Sequence, residues 1–206
     1  MSAAVITRLG RMVRWEPGTA ERLQRAALEL FATRGYEQTT AAEIAQAVGL
    51  TERTFFRHFS DKREVLFQGQ ELLVQAFLDG VAAAPADASP LEVVASALQS
   101  VASFFPDERR PHSRARQSVI DRNPALRERE QHKLTTLATT VADALRARGV
   151  DELAATLAAE SGATVFGIAF TRWLHEERSL ADLAAEVLDE LLTLAGTAAQ
   201  ALRPTR

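Results

Sequence analysis

Cysteine is absent from this chain. That excludes a disulfide framework, and it excludes a thiolate as nucleophile or metal ligand. A reducing cytoplasm fits such a composition. A metal would have to rely on the four histidines and on carboxylates, yet His112, His132 and His175 lie far apart without ligand spacing. No metal and no cofactor are expected. A glycine-rich phosphate loop and a G-x-S-x-G elbow are also missing, as are convergent polar groups for a hydrolase or lyase. The reading is therefore not an enzyme. The opening MSAAVITRLGRMVRW has no apolar core of signal-peptide length. No run of about 18 apolar residues stands out, so no membrane span is expected and the cytoplasm is the expected location.

Proline is scarce, at seven of 206 residues, and β-branched residues are scattered. Alanine and leucine dominate instead, which favours helices. The periodicity predicts an all-α chain of about nine helices without repeats. The net charge of −3 argues against a general nucleic-acid coat protein. Its distribution is more telling. Residues 1–63 hold ten Lys/Arg against seven Asp/Glu, and the remainder holds fourteen against twenty. A mildly basic head on an acidic body suits a localised phosphate-binding face.

The first sixteen residues read as an arm carrying Arg8, Arg11 and Arg14. A helix is predicted from Pro17-Gly18-Thr19 to Arg34, stopped by Gly35. Thr40-Ala41-Ala42-Glu43 matches a capping box. Gly49 ends that second helix, Leu50 plugs the turn, and Thr51 caps a third. Phe55 and Phe59, four apart, share a buried face. Ser60-Asp61 then opens a long helix from Lys62 towards Ala84. Further helices are expected from Pro90 to Phe105, Arg109 to Arg122, Pro124 to Arg148 with Asn123 as cap, Asp151 to Glu176, and Ser179 towards Ala201.

Two short helices joined by a tight turn, TTAAEIAQAVGLTERTFFRHF, make a candidate DNA-reading segment. The second helix would offer Thr51 and Thr54 hydroxyls to phosphates. Arg53 and Arg57 lie on one face and are long enough to reach base edges, where a bidentate Arg reads guanine. His58 and Lys62 follow as backbone clamps. The same spacing also suits an ordinary corner of an all-α protein with solvated charges.

The segment GYEQTTAAEIAQAVGLTERTFFRHFSDKREVLF resembles the N-terminal domain of TetR-family transcriptional regulators. The likeness rests on Gly35-Tyr36, Thr39-Thr40, Ile44-Ala45, Gly49-Leu50-Thr51, Thr54, His58-Phe59 and Lys62. The resemblance implies a DNA-binding set of Thr40, Thr51, Arg53, Thr54, Phe56, Arg57, His58 and Lys62. It further implies a homodimer on a near-palindromic operator, a repressor role, and release by a ligand bound in the C-terminal domain. One departure stands out. The family usually carries Tyr where Phe56 stands, and that hydroxyl bonds a phosphate; Phe56 packs but cannot donate. A module that has lost DNA binding is the alternative this departure suggests.

The implied division is an N-terminal arm and helix-turn-helix over 1–63, and a ligand-binding and dimerisation domain over 64–206. The segment RQSVIDRNPALRERE resembles a subgroup of these regulators from mycofactocin and acyl-CoA-responsive systems, which implies an apolar ligand. From the residues themselves, Phe104, Phe105, Phe166, Phe170 and Trp173 are candidate pocket walls, with Arg116 and Ile120 on an intervening helix. An Arg beside aromatic walls suits the carboxylate or phosphate of an otherwise apolar effector. Plain core filling, for the aromatics, and a salt bridge, for Arg116, are the competing readings. The last two helices are apolar and rich in small residues, so four of them, two from each chain, would form a bundle.

Overall fold

The computed structural model describes residues 18–201, with side chains to 197; the arm with Arg8, Arg11 and Arg14 lies outside the described residues. Within them all regular structure is helical. The order is α1 (Thr19–Arg34), α2 (Ala41–Ala47), α3 (Glu52–His58), a 3-10 turn η1 (Arg63–Phe67), α4 (Gln70–Ala83) and α5 (Pro90–Ala102). A second turn η2 (Asp107–Arg109), α6 (Arg110–Asp121), α7 (Pro124–Ala147), α8 (Glu152–His175) and α9 (Leu180–Ala201) complete it.

Local chemistry sets most of these boundaries. Gly35, at φ 92°, closes α1 with its N–H on the Phe31 carbonyl. Thr40 and Glu43 form the expected capping box. Ser179 receives the Asp182 N–H and donates to its carboxylate, opening α9. Asn123 departs from its expected role. Pro124 does open α7, but the Asn123 amide donates back to the Val119 carbonyl at 2.6 Å, tying α7 to α6.

Two hydrophobic clusters share the chain. The first gathers α1–α3 and η1 around Leu23, Phe31, Ile44, Phe55 and Phe59, and takes Val119, Ile120 and Leu126 from the α6–α7 corner. The second is the body, built from α4, α5, α7, α8 and α9. A single helix from Lys62 to Ala84 does not form. It breaks at Gln68-Gly69, where Gly69 has φ 85°. The reason is a conflict of cores: Val65, Leu66 and Phe67 are buried in the first cluster, whereas Phe77 and Val81 belong to the second. A straight helix cannot serve both.

The body is packed closely through small residues. A Cβ added to Gly80 would lie 2.5 Å from the Ala97 Cα, and Ser96 Oγ donates to the Gly80 carbonyl at 2.8 Å, so α4 and α5 touch backbone to backbone. By length and composition α8, with a mean hydropathy of 1.5 over its most apolar stretch, would pass for a membrane span, contrary to the expectation from sequence. Its packing gives another reason for that composition. Ala155, Ala158, Ala159 and Gly162 are buried where α5, α7 and α9 pack on it.

Candidate nucleic-acid interface and ligand cavity

Helix α3 is anchored on one side and free on the other. Phe55 is wholly buried and packs against Phe59 at 5.2 Å between ring centroids. That orients Arg53, Phe56, Arg57 and His58 to solvent. Phe56 is 49% exposed and touches only the edge of the core through Phe55. Arg53 and Arg57 make no side-chain hydrogen bond or ion pair among the described residues. Thr51 caps α3 by accepting the Thr54 N–H, and the two hydroxyls lie 3.0 Å apart. The exposed face thus offers two uncommitted guanidinium groups, a histidine and a pair of hydroxyls.

Two of the expected contact residues are occupied internally. Lys62 does not reach outward. Its ammonium donates to the Tyr36 and Thr39 carbonyls at 2.7 and 3.0 Å and sits over the Tyr36 ring. It clamps the loop that precedes α2. Thr40 commits both its N–H and its hydroxyl to the Glu43 carboxylate, so it carries no free donor for a phosphate. Those Thr40 hydrogen bonds hold the Glu43 carboxyl below its usual range. Sequence reasoning missed two further braces. Arg22 of α1 donates to the Val48 carbonyl at the end of α2, at 2.7 Å, and the buried Thr39 hydroxyl donates to the Gly35 carbonyl. Both contacts are to backbone carbonyls, which leave no mark in side-chain patterning.

A cavity of about 840 Å³ lies between the two clusters. One end is aromatic. Phe104, Phe105, Phe166 and Phe170 line it, with Phe105 edge-on to Phe170 at 5.1 Å and Phe166 stacked on Phe170. Arg109 lies over the Phe104 ring at 4.6 Å, and the polar lining further includes His112, Arg116, Arg127 and Lys133 with Gln117, Asp121, Glu130 and Glu160. Glu21 and Gln24 of α1 reach the wall as well, so the first cluster contributes to it. Arg116 donates to the Leu66 carbonyl at 2.7 Å and pairs with Glu130 at 3.1 Å. Burial pulls the Arg116 pKa down, with the Glu130 carboxylate opposing. Burial, then the Arg109 and Arg116 charges, also pull His112 below its ordinary value. A site of this size, with aromatic walls and several cations among its polar groups, is suited to an amphiphile with an anionic head.

Two expected wall residues lie elsewhere. Ile120 is fully buried in the first cluster, on the helix that packs against α1. Trp173 is fully buried behind Phe105 and Phe170, at 5.7 and 5.6 Å, and donates its indole N–H to Asp107. The remaining candidates, Phe104, Phe105, Arg116, Phe166 and Phe170, do meet in one cavity.

Comparison with known proteins agrees with this geometry. Residues 23–68 match the bacterial regulatory proteins of the tetR family, and residues 88–195, over half the chain, match the MftR C-terminal domain. The chain is 43% identical to the HTH-type transcriptional regulator TcmR of Streptomyces glaucescens over 83 residues, 40% of this chain and 37% of that protein. The matched stretch therefore spans little more than a third of that relative's length. The fold is similar to FadR of Bacillus subtilis, solved in complex with stearoyl-CoA (TM-score 0.54, 18% identity, 82% of this chain and 95% of that one). It is also similar to the fatty acid degradation regulator FadR of Bacillus halodurans (TM-score 0.51, 18% identity, 86% and 96%). With a reading helix anchored by Phe55 and capped by Thr51, and with family matches over both its head and its body, the chain belongs to the TetR family of bacterial transcriptional regulators.

Proposed function

We propose that this regulator is a ligand-released repressor that binds a near-palindromic operator as a homodimer in the cytoplasm. The observation that carries the reading is the pairing of an outward cationic helix with an amphiphile-shaped cavity in one chain. Arg53, Arg57, Thr51, Thr54 and His58 are the contacts assigned to DNA, with Phe56 packing beside them. Residues 1–63 form the reading head, and residues 64–206 sense and dimerise. Dimerisation is supported by exposed apolar side chains on the last two helices: Leu153, Leu157 and Ile168 of α8, and Leu192 and Leu194 of α9. The effector is a largely apolar molecule with an acidic group. Stearoyl-CoA, held by the Bacillus subtilis FadR, likewise joins an apolar chain to phosphate charge, although its head is far larger and more polar; for this chain the support is the cavity's own lining.

Fluorescence anisotropy with DNA flanking the protein's own gene, at two salt concentrations and against a scrambled duplex, tests the reading. Selective binding that weakens with salt is expected. If selection from random duplexes also yields no preferred sequence, the chain is instead a ligand-binding module that has lost DNA reading.

A further inference from the structure

The turn η1 connects the reading head to the body, and the cavity's cations hold it. Glu64 of η1 pairs with Arg129 at 2.8 Å and with Lys133 at 3.2 Å, both on α7. Phe67, at the end of η1, has Arg116 and Lys133 over its ring at 5.2 and 5.3 Å. Arg116 also donates to the Leu66 carbonyl. Arg116 and Lys133 both line the cavity, so each serves the cavity wall and η1 at once. Burial raises the Glu64 pKa, but the Arg129 hydrogen bond and the Lys133 charge outweigh it and hold the carboxyl below its usual range, ionised near neutrality. Next in sequence, Gln68 lines the cavity with its side-chain oxygen buried and unpartnered among the described residues, and Gly69 supplies the break before α4.

We propose that the effector signals by charge competition: its anionic head takes Lys133 and Arg116 away from Glu64 and the Leu66 carbonyl, which frees η1 and with it the orientation of α3. This rests on the amphiphile reading of the cavity and names how that site is coupled to DNA. Glu64 acts as an internal anion that occupies Lys133 until a ligand replaces it. Gln68 offers the head group a second contact on the same segment. The break at Gly69 confines the change to η1, because rotation there is not resisted by a continuous helix.

The test uses full-length protein with a duplex selected from a random pool, and palmitate and hexadecyl phosphate as separate probes. In the wild type, saturating probe weakens duplex binding. Glu64→Gln should mimic the ligand: duplex affinity without probe falls at least fivefold, the further effect of probe shrinks towards none, and probe affinity rises, as reciprocal coupling requires. Hydrogen exchange should accelerate at residues 63–68 and not across the body. Lys133→Gln, which leaves the Arg129 pair in place, should show the same duplex effect at smaller size and covers the case in which Glu64→Gln misfolds. Wild-type duplex affinity in both variants would overturn the proposal. If neither probe binds the wild type, the amphiphile reading fails separately, while the duplex affinities of the variants still decide the role of η1. The probe that acts distinguishes a carboxylate head from a phosphate head.

Discussion

The reading head and the body solve the same packing problem with different means. The head is small, and its helices α2 and α3 are seven residues each, too short to be stable alone. It compensates with aromatic side chains, with caps at both helix starts, and with long side chains that reach backbone carbonyls: Arg22 to Val48, and Lys62 to Tyr36 and Thr39. The body has two helices of 24 residues and uses such braces too, from Arg148 to the Val81, Ala84 and Pro85 carbonyls and from Arg114 to the Leu174 carbonyl. It relies on alanine and glycine to bring long helices close. The difference lies in what accompanies those bonds: aromatic side chains around short helices in the head, and close backbone contact between long helices in the body.

This contrast is most severely broken at Phe55. Phe55→Ala removes the ring that anchors α3 and should cost about 3–5 kcal/mol, with loss of DNA binding; thermal unfolding by circular dichroism measures it. In the body, Gly80→Ala should cost about 1–3 kcal/mol by overpacking α4 against α5, with duplex affinity per folded molecule retained. Arg57→Ala should leave the melting temperature unchanged but weaken duplex binding by about 1–3 kcal/mol if it reads a base, with preference relaxed at one position. Equal weakening on all sequences would reduce Arg57 to a phosphate contact. The effect confined to the narrowest conditions is a pH dependence. Burial, then the Asp61 charge, raise the Tyr36 pKa from 10.0 to about 12. The folded state therefore binds this proton more tightly. The resulting stability is complete below pH 10 and is lost as pH rises through about 12. Denaturant titrations in that window should show a slope that Tyr36→Phe removes.

What was legible in the sequence follows the same division. Caps and stops are local, so Thr40 with Glu43, Gly35, Gly49 and the start near Ser179 were readable from a few neighbouring residues. Phe55 and Phe59 were readable because their spacing matches one helical face. The break at Gly69 was not, because one glycine within a helix-favouring run costs only about 1 kcal/mol. What decides it is that Leu66 and Phe77 belong to different cores. Lys62 and Thr40 looked like phosphate ligands because their internal partners are backbone carbonyls and a capping carboxylate. Trp173 and Ile120 were placed in the cavity by residue type, but their depth depends on contacts more than fifty residues away, such as Trp173 with Asp107. The Glu64–Arg129–Lys133 group spans 65 residues between Glu64 and Arg129 and has no sequence signature.

Arg110 carries a mechanical consequence. Its side chain is buried against Trp173 and bonds Asp107, Glu177 and the Arg178 carbonyl together. These groups come from η2 and from the turn between α8 and α9. The knot makes the aromatic end of the cavity a stiff abutment, since Phe105 and Phe170 are both seated on Trp173. A long apolar chain pressed into that end cannot displace it. The thrust would be returned along the ligand to the walls formed by η1, whose Leu66 and Phe67 are held by Arg116 and Lys133 as well as by the first core. A longer tail would then act as a longer strut, so effector potency would climb with chain length until the strut no longer fits.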